Sequence, residues 1–293
     1  MEATQIVTDL KTSMVSAAAL ASALRDERAS TPEEALEADP ARAAVLRTML
    51  DAEIVLGALW GGRKLRGDNL VSALSQAAAA AAGTIGSWAD LSDEAMIAQG
   101  RSSELMAQVI LARVAPAYGF LDENTPSRVL DVGTGIGAIA TALATARPSA
   151  EVTGIDIAER PLEIARGLLR ELDPGIAERI HLRRQDVTDL ADAEPYDVVW
   201  MPMPFLPDTV AERALNRVTE ALRPDGMLVL GTNSDVHDER VKVTNDWLAS
   251  LTGGGTLTTS AIEQDLARRG YTGIRRFDTV PGGPVLLAAV RAA

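Results

Sequence analysis

From residue 120 onward, apolar positions gather into short blocks separated by stretches of helical period. Blocks near residues 128–132, 151–156, 179–185, 196–201, 227–232, 272–278 and 285–291 read as strands. The stretches 138–146, 161–172, 208–222, 236–251 and 260–269 place apolar residues three and four apart and read as helices. Alternation of the two predicts an α/β fold, a doubly wound, seven-stranded, mostly parallel sheet covered on both faces. Ligands in such folds sit outside the carboxyl ends of the strands.

Before residue 120 the period is helical throughout. Leu10, Met14, Ala17, Ala21 and Leu24 form one apolar face, and Thr31-Pro32-Glu33-Glu34 reads as a capped helix start. A single helix is expected over 43–58, then a break at Gly61-Gly62 and another helix over 69–82 that stops at Gly83. Ser92-Asp93-Glu94 opens a further segment, and 102–115 reads as the helix packed just before the sheet. The expected division is a helical domain over 1–119 and a second domain over 120–293. The segment Gly61 to Gly67 reads either as a mobile basic lid or as a solvated turn between two helices.

Candidate chemistry begins at Val129-Leu130-Asp131-Val132-Gly133-Thr134-Gly135-Ile136-Gly137, where an apolar strand meets a carboxylate and then glycine at three alternate positions. Glycine takes positive φ and lets backbone approach a ligand, while the following helix offers free N–H groups and its positive dipole end. That combination is a nucleotide-binding turn. Gly133-x-Gly135-x-x-Ala138 also satisfies the dinucleotide fingerprint. Asp131 could hold a cationic amine, whereas a pyrophosphate there would meet like charge. Asp156 closes the next block, placed to accept both hydroxyls of a ribose, and serves either cofactor. Asp186 closes the third, where it could accept from an adenine amino group. A plainer reading makes the glycines a tight turn and the aspartates helix caps, but capping alone does not require carboxylates ending three successive strands.

Over residues 120–293 the chain resembles the class I S-adenosylmethionine-dependent methyltransferases. The resemblance rests on the Asp131–Gly137 turn, Asp156, Gln185-Asp186-Val187, Tyr196-Asp197-Val198-Val199-Trp200-Met201-Pro202, and Ala221-Leu222-Arg223-Pro224-Asp225-Gly226 leading into a fifth strand. It implies a reversed final strand and S-adenosyl-L-methionine as cofactor, with S-adenosyl-L-homocysteine as product. It implies that Asp131 and Gly133 lie near the methionine portion, that Asp156 binds the ribose, that Asp186 with Val187 frames the adenine, and that Thr134, Gly135, Gly137 and Ile157 belong to the same cofactor site. Met201 joins this set from the fourth strand, and Gln99, within 96–101, from a segment that either folds over the methionine end or simply starts a helix. The helical domain would cover the cofactor, supply part of the substrate pocket or build a homodimer.

Acceptor chemistry is expected after the fourth and fifth strands, with Met203, Phe205, Asn233 and Trp88 as pocket candidates. Relatives that methylate amide or exocyclic nitrogens often carry Asn/Asp-Pro-Pro-Tyr/Phe at the fourth; Met201-Pro202-Met203-Pro204 lacks that polar grip. Methyl transfer is an in-line displacement, needing a base only where the acceptor carries a tightly held proton. His237 is the candidate base, also readable as a surface helical histidine; His181 lies at the remote end of its strand. The expected reaction is methylation of a small molecule, at oxygen or nitrogen rather than carbon. A cyclase or regulatory protein that binds the cofactor without using its methyl is the alternative, and an NAD-dependent oxidoreductase a more distant one.

Charge and composition narrow the partners. With 41 acidic and 28 basic residues the net charge is -13, which repels nucleic acid and anionic membranes, and no apolar run has the length of a membrane span. The leading segment carries Glu2 and Asp9 where an export signal is positive, so a cytoplasmic protein is expected. Absence of cysteine excludes disulfides and a cysteine nucleophile. Asp235 and Asp238 beside His237 could make a divalent-metal site, but no second cluster supports one and helix capping explains the acids, so no metal is expected. Ten aromatic residues in all disfavour carbocation chemistry.

Overall fold

The apolar blocks become strands β1 (Ser127–Val132), β2 (Ala150–Asp156), β3 (Ile180–Arg184), β4 (Tyr196–Pro202), β5 (Leu222–Thr232), β6 (Thr272–Asp278) and β7 (Val285–Val290) in the computed structural model. It describes residues 3–84, 86, 91–233, 238–279 and 284–292. The strands form one sheet in the order β3-β2-β1-β4-β5-β7-β6, parallel from β3 to β5, with β7 antiparallel to both its neighbours. This is the doubly wound, mostly parallel sheet with a reversed last strand. Order reverses between β1 and β4, so a crevice opens at their carboxyl ends, beside Val132 and Pro202.

Helices cover both faces. They are α1 (Ala3–Arg25), α2 (Pro32–Glu37), α3 (Pro40–Met49), α4 (Ala52–Leu59), α5 (Arg63–Ala82), α6 (Asp93–Val109) and α7 (Ala115–Tyr118) ahead of the sheet. Within and after it come α8 (Ala138–Ala146), α9 (Glu159–Leu169), α10 (Pro174–Ala177), α11 (Asp208–Ala221), α12 (Glu239–Thr252) and α13 (Thr259–Arg268). Leu130, Ile155, Val199, Met201, Leu228 and Leu230 form one core with Leu215, Val218, Ile262 and Leu266 of α11 and α13. Val129, Val152, Val198, Trp200 and Val229 form the other with Ile139 and Leu143 of α8. Burying each such side chain stabilises the fold by about 1.5–3 kcal/mol. Ile110, Val114 and Ala115 belong to that second core, so the helix just before β1 is part of the sheet's own layer.

Several helix boundaries depart from expectation. The 43–58 stretch divides because Leu50 takes an extended conformation (φ -135, ψ 161), and Asp51 precedes α4. The helix expected from 69 begins at Arg63, because Gly62 adopts φ 74 and the Arg63 guanidinium donates to the carbonyls of Leu24, Asp26 and Ala29. Leu24 lies in the last turn of α1, whose carbonyls lack helical partners, and Asp26 and Ala29 in the loop that follows. Gly61 to Gly67 is therefore mostly the first turn of α5, with Lys64 paired to Glu27, and neither a lid nor a bare turn. By contrast α6 begins at Asp93 with Ser92 as its cap, where a segment is expected to open, but it runs on without a break before 102 and through a π-turn over Ile110–Val114 into α7. Thr31 caps α2 as expected, accepting from Glu34 N at 3.2 Å. Among the described residues no helix is long and apolar enough to cross a membrane.

Candidate functional site

The turn after β1 is built by three left-handed residues, Gly133, Gly135 and Gly137, at φ 65, 55 and 75. Side chains rarely tolerate that region, so alternate glycines are what this backbone needs. Gly137 is the N-cap of α8, whose first amides therefore face the turn. Asp156, at the end of β2, staples the loop: its Oδ2 accepts from Gly135 N and its Oδ1 from Ala158 N, both at 2.9 Å. Burial pushes the Asp156 carboxyl up, opposed by those amides and that of Ile157. Each carboxylate oxygen keeps a second lone pair that a ribose hydroxyl can use.

Asp131 is fully buried. Thr134 Oγ1 donates to its Oδ2 at 2.6 Å, while Oδ1 accepts no hydrogen bond. Burial pushes its pKa up to about 7 against the Thr134 hydroxyl and the Ala140 amide, which favour the charged form. Direct contact with a ligand amine is thus closed; Asp131 acts on the turn from beneath, through Thr134. That arrangement depends on a glycine the sequence reading passed over. A Cβ on Gly154 would stand 2.7 Å from Thr134 Oγ1. Glycine inside a strand marks a close approach and was the available signal.

Other expected residues divide between cleft and core. Ile157 is 65 % exposed beside Asp156, an apolar surface a ligand can cover. Asp186 caps the 3₁₀ turn Val187–Asp189, its Oδ1 accepting from Thr188 N and Oγ1 at 2.8 Å, and Val187 is buried. Met201 and Met203 are enclosed in the sheet's core, because β4 is the central strand and its exit turns inward; their side chains form no wall against a ligand. Pro202 lies against the turn instead, 3.5 Å from where a Gly133 Cβ would stand. Phe205 remains 37 % exposed. Asn233 is exposed, and its carbonyl accepts from Thr259 Oγ1 at 2.6 Å. His237 and Trp88 lie outside the described residues, as does Asp235. Asp238 caps α12 and pairs with Arg240, as expected of a helix cap.

Helix α6 meets the turn through a different residue from the one expected. Gln99 Oε1 accepts from Ser72 Oγ at 2.7 Å and so ties α6 to α5. Gly100 is the contact: a Cβ there would stand 2.3 Å from Ile136 Cγ1. Leu91, Ala95 and Met96 pack on Ile136 beside it, and Asp93 pairs with Arg160 of α9 at 2.5 Å. The helical layer is seated on the glycine turn itself.

Residues 129–226 match the family model described as a methyltransferase domain. A release factor glutamine methyltransferase of Rhodopirellula baltica is 29% identical over 150 residues, 51% of this chain and 49% of its own length. The chain spans about half the length, or less, of such curated relatives. An O-methyltransferase family protein from Burkholderia thailandensis shares the fold end to end, covering 100% of this chain and 99% of its own, with a TM-score of 0.64 at 14% identity. The magnesium protoporphyrin IX methyltransferase of Synechocystis, solved with bound S-adenosylhomocysteine, covers 68% of this chain and 87% of its own, at TM-score 0.54 and 22% identity. Turn, sheet order and family model agree on a methyltransferase domain over residues 129–226, set in a chain with the fold of the solved methyltransferases.

Proposed function

We propose that this chain transfers the methyl group of S-adenosylmethionine to an oxygen or nitrogen of a small molecule. One observation carries the reading most directly. The triple left-handed glycine turn is stapled by Asp156, which keeps lone pairs for a ribose, and is underlain by a buried carboxyl, Asp131, that a cationic cofactor favours and a pyrophosphate does not. Gly133, Gly135 and the first amides of α8 would hold the methionine end, Asp156 the ribose, and Ile157 with the Asp186–Val187 step the adenine. The cofactor supplies an activated methyl carbon. The acceptor's lone pair forms the new bond as the carbon–sulfur bond breaks, S-adenosylhomocysteine leaves, and the acceptor's proton passes to solvent or to a base.

The acceptor reading rests on the exit of β4. Amide methylation wants a polar side chain and a backbone carbonyl gripping the amino group; here Met201 is enclosed and Met203-Pro204-Phe205 follows, an apolar lip with only Phe205 exposed among its large side chains. That favours a small apolar-faced acceptor over a protein glutamine. The helical segment, residues 1–119, covers the cofactor cleft through Gly100 and Met96. Calorimetric titration with S-adenosylmethionine and S-adenosylhomocysteine, with NADH as control, is the test. Saturable binding of both, lost in Asp156→Ala, followed by S-adenosylhomocysteine release with an acceptor panel, supports the reading. NADH binding in their place would overturn it, and binding without turnover would leave a cofactor-binding protein that does not methylate.

A further inference from the structure

The apolar face of α1 changes its surroundings halfway along the helix. At the carboxyl end Leu24 is buried in one cluster with Leu36, Leu46 and Leu56 of α2, α3 and α4, and Ala21 is buried one turn before it. Toward the amino end the same stripe runs on through Ala17, Met14, Leu10, Val7, Ile6 and Ala3, spaced to share one side of the helix. There it meets water. From Ala3 to Val15 every residue is exposed except the half-buried Thr12, and Ile6, Val7, Leu10 and Met14 are 42–65% exposed. A contiguous apolar patch of this kind marks an interaction site.

Alone, this stretch is a poor helix. Thr4, Ile6, Val7, Thr8, Thr12 and Val15 are branched at Cβ and lose side-chain freedom in a helix, and a stretch of this length is marginal in water without packing. Ser13, on the edge of the stripe, turns its hydroxyl back to the Asp9 carbonyl at 2.9 Å and leaves that edge without an open donor. Charge decides what can cover the stripe. The chain carries -13, so copies repel one another over most of their surface, yet residues 3–24 hold one acid and one base, Asp9 and Lys11. That neutral strip is where a second copy can approach, and an apolar stripe is complementary to itself. Beyond Ala17 the stripe faces its own core, so a parallel mate would run into that core, whereas an antiparallel mate overlaps only the exposed part. Full overlap sets Ala3 opposite Met14 of the second copy, and Val7 opposite its Leu10. The strip from Ala3 to Val15 is about 20 Å long. A pair buries on the order of 1,000 Å², the size of a weak, reversible interface.

We propose that α1 joins two copies of this chain as an antiparallel pair through Ile6, Val7, Leu10 and Met14. The pairing requires nothing of the methyl-transfer reading. The test is sedimentation equilibrium of the full chain from about 1 to 300 μM, where the average mass should rise from 30.9 kDa toward twice that, with a Kd of about 10–100 μM. Leu10→Lys, at an exposed position, should weaken association by about tenfold or more. Ile54→Lys makes the same charge change on an exposed apolar residue of α4 and should leave association unchanged. Because the chain has no cysteine, introduced ones report the orientation. Mixed Ala3→Cys and Met14→Cys copies should cross-link to each other faster than Ala3→Cys copies cross-link among themselves. A mass that stays at 30.9 kDa over the whole range, association equal in Leu10→Lys, equal loss in both lysine variants, or preferential self-linking of Ala3→Cys overturns the proposal.

Discussion

Asp131 and Asp156 end adjacent strands, yet their surroundings give them different work. Asp156 sits at the rim with both oxygens on backbone amides, so Asp156→Ala removes the staple of the turn as well as the proposed ribose acceptor. Cofactor affinity in that variant should fall by about tenfold or more, read by calorimetry. Asp131 is enclosed, and burial holds its carboxyl protonated up to about pH 7. A cationic ligand favours the ionised form, so binding should lower this pKa and release a proton. S-Adenosylmethionine affinity should then rise as pH increases from about 5 to 7 and level off above. Titrations in buffers of different ionisation enthalpy would count the proton, and Asp131→Asn should flatten the profile; a profile unchanged in that variant would assign the proton elsewhere. The glycines and strand-end acids were legible because local backbone geometry demands them. Enclosure of Met201, Met203 and Asp131 was not, since it depends on which neighbours a strand acquires in the sheet.

Two glycines join whole elements. Gly154 in β2 makes room for Thr134, so Gly154→Ala drives a methyl to 2.7 Å from the hydroxyl that holds Asp131. Urea denaturation should show a loss of about 1–3 kcal/mol. Gly100 lets α6 rest on Ile136, and Gly100→Ala should lift that helix from the turn and weaken cofactor binding several-fold. Adding Ile136→Ala removes the atoms the new methyl would strike. The double variant should therefore bind the cofactor better than Gly100→Ala alone, and simple additivity of the two losses would show that the contact does not matter. Sequence period located the strands and most helices, because hydrophobic alternation reports the buried face directly. It misplaced the start of α5, divided α6 from a helix expected over 102–115, and missed the break before α4. Those ends are set by partners distant in sequence, as when Arg63 reaches back to the carbonyls of Leu24, Asp26 and Ala29.

Across the whole molecule, the helical layer and the sheet carry buried acids of opposite pH sense. Asp26 joins the end of α1 to α3, and hydrogen bonds from Arg28 and Arg42 hold its carboxyl well below the usual carboxylate range. Its folded pKa is depressed, so its stabilisation is present above the unfolded value, near 3.8, and is lost as pH falls through the folded one. Asp131 is raised, so its contribution is fully present below 3.8 and is lost as pH rises through about 7. Acidification therefore weakens the helical layer while relieving the sheet, and acid unfolding should begin in the former. Trp60 follows α4, its Nε1 donating to Ser30 O at 3.1 Å, and Trp200 is buried in the sheet's core, so each reports on one layer. In single-tryptophan variants titrated from about pH 5 to 2, Trp60 fluorescence should change before that of Trp200. Asp26→Asn strands Arg42 without its charge partner; it should cost about 3–5 kcal/mol at neutral pH and bring the Trp60 transition forward to milder acid. Coincident transitions for both tryptophans would mean that the Gly100 seat and the Asp93–Arg160 pair couple the layers into a single unfolding unit, outweighing the opposed titrations.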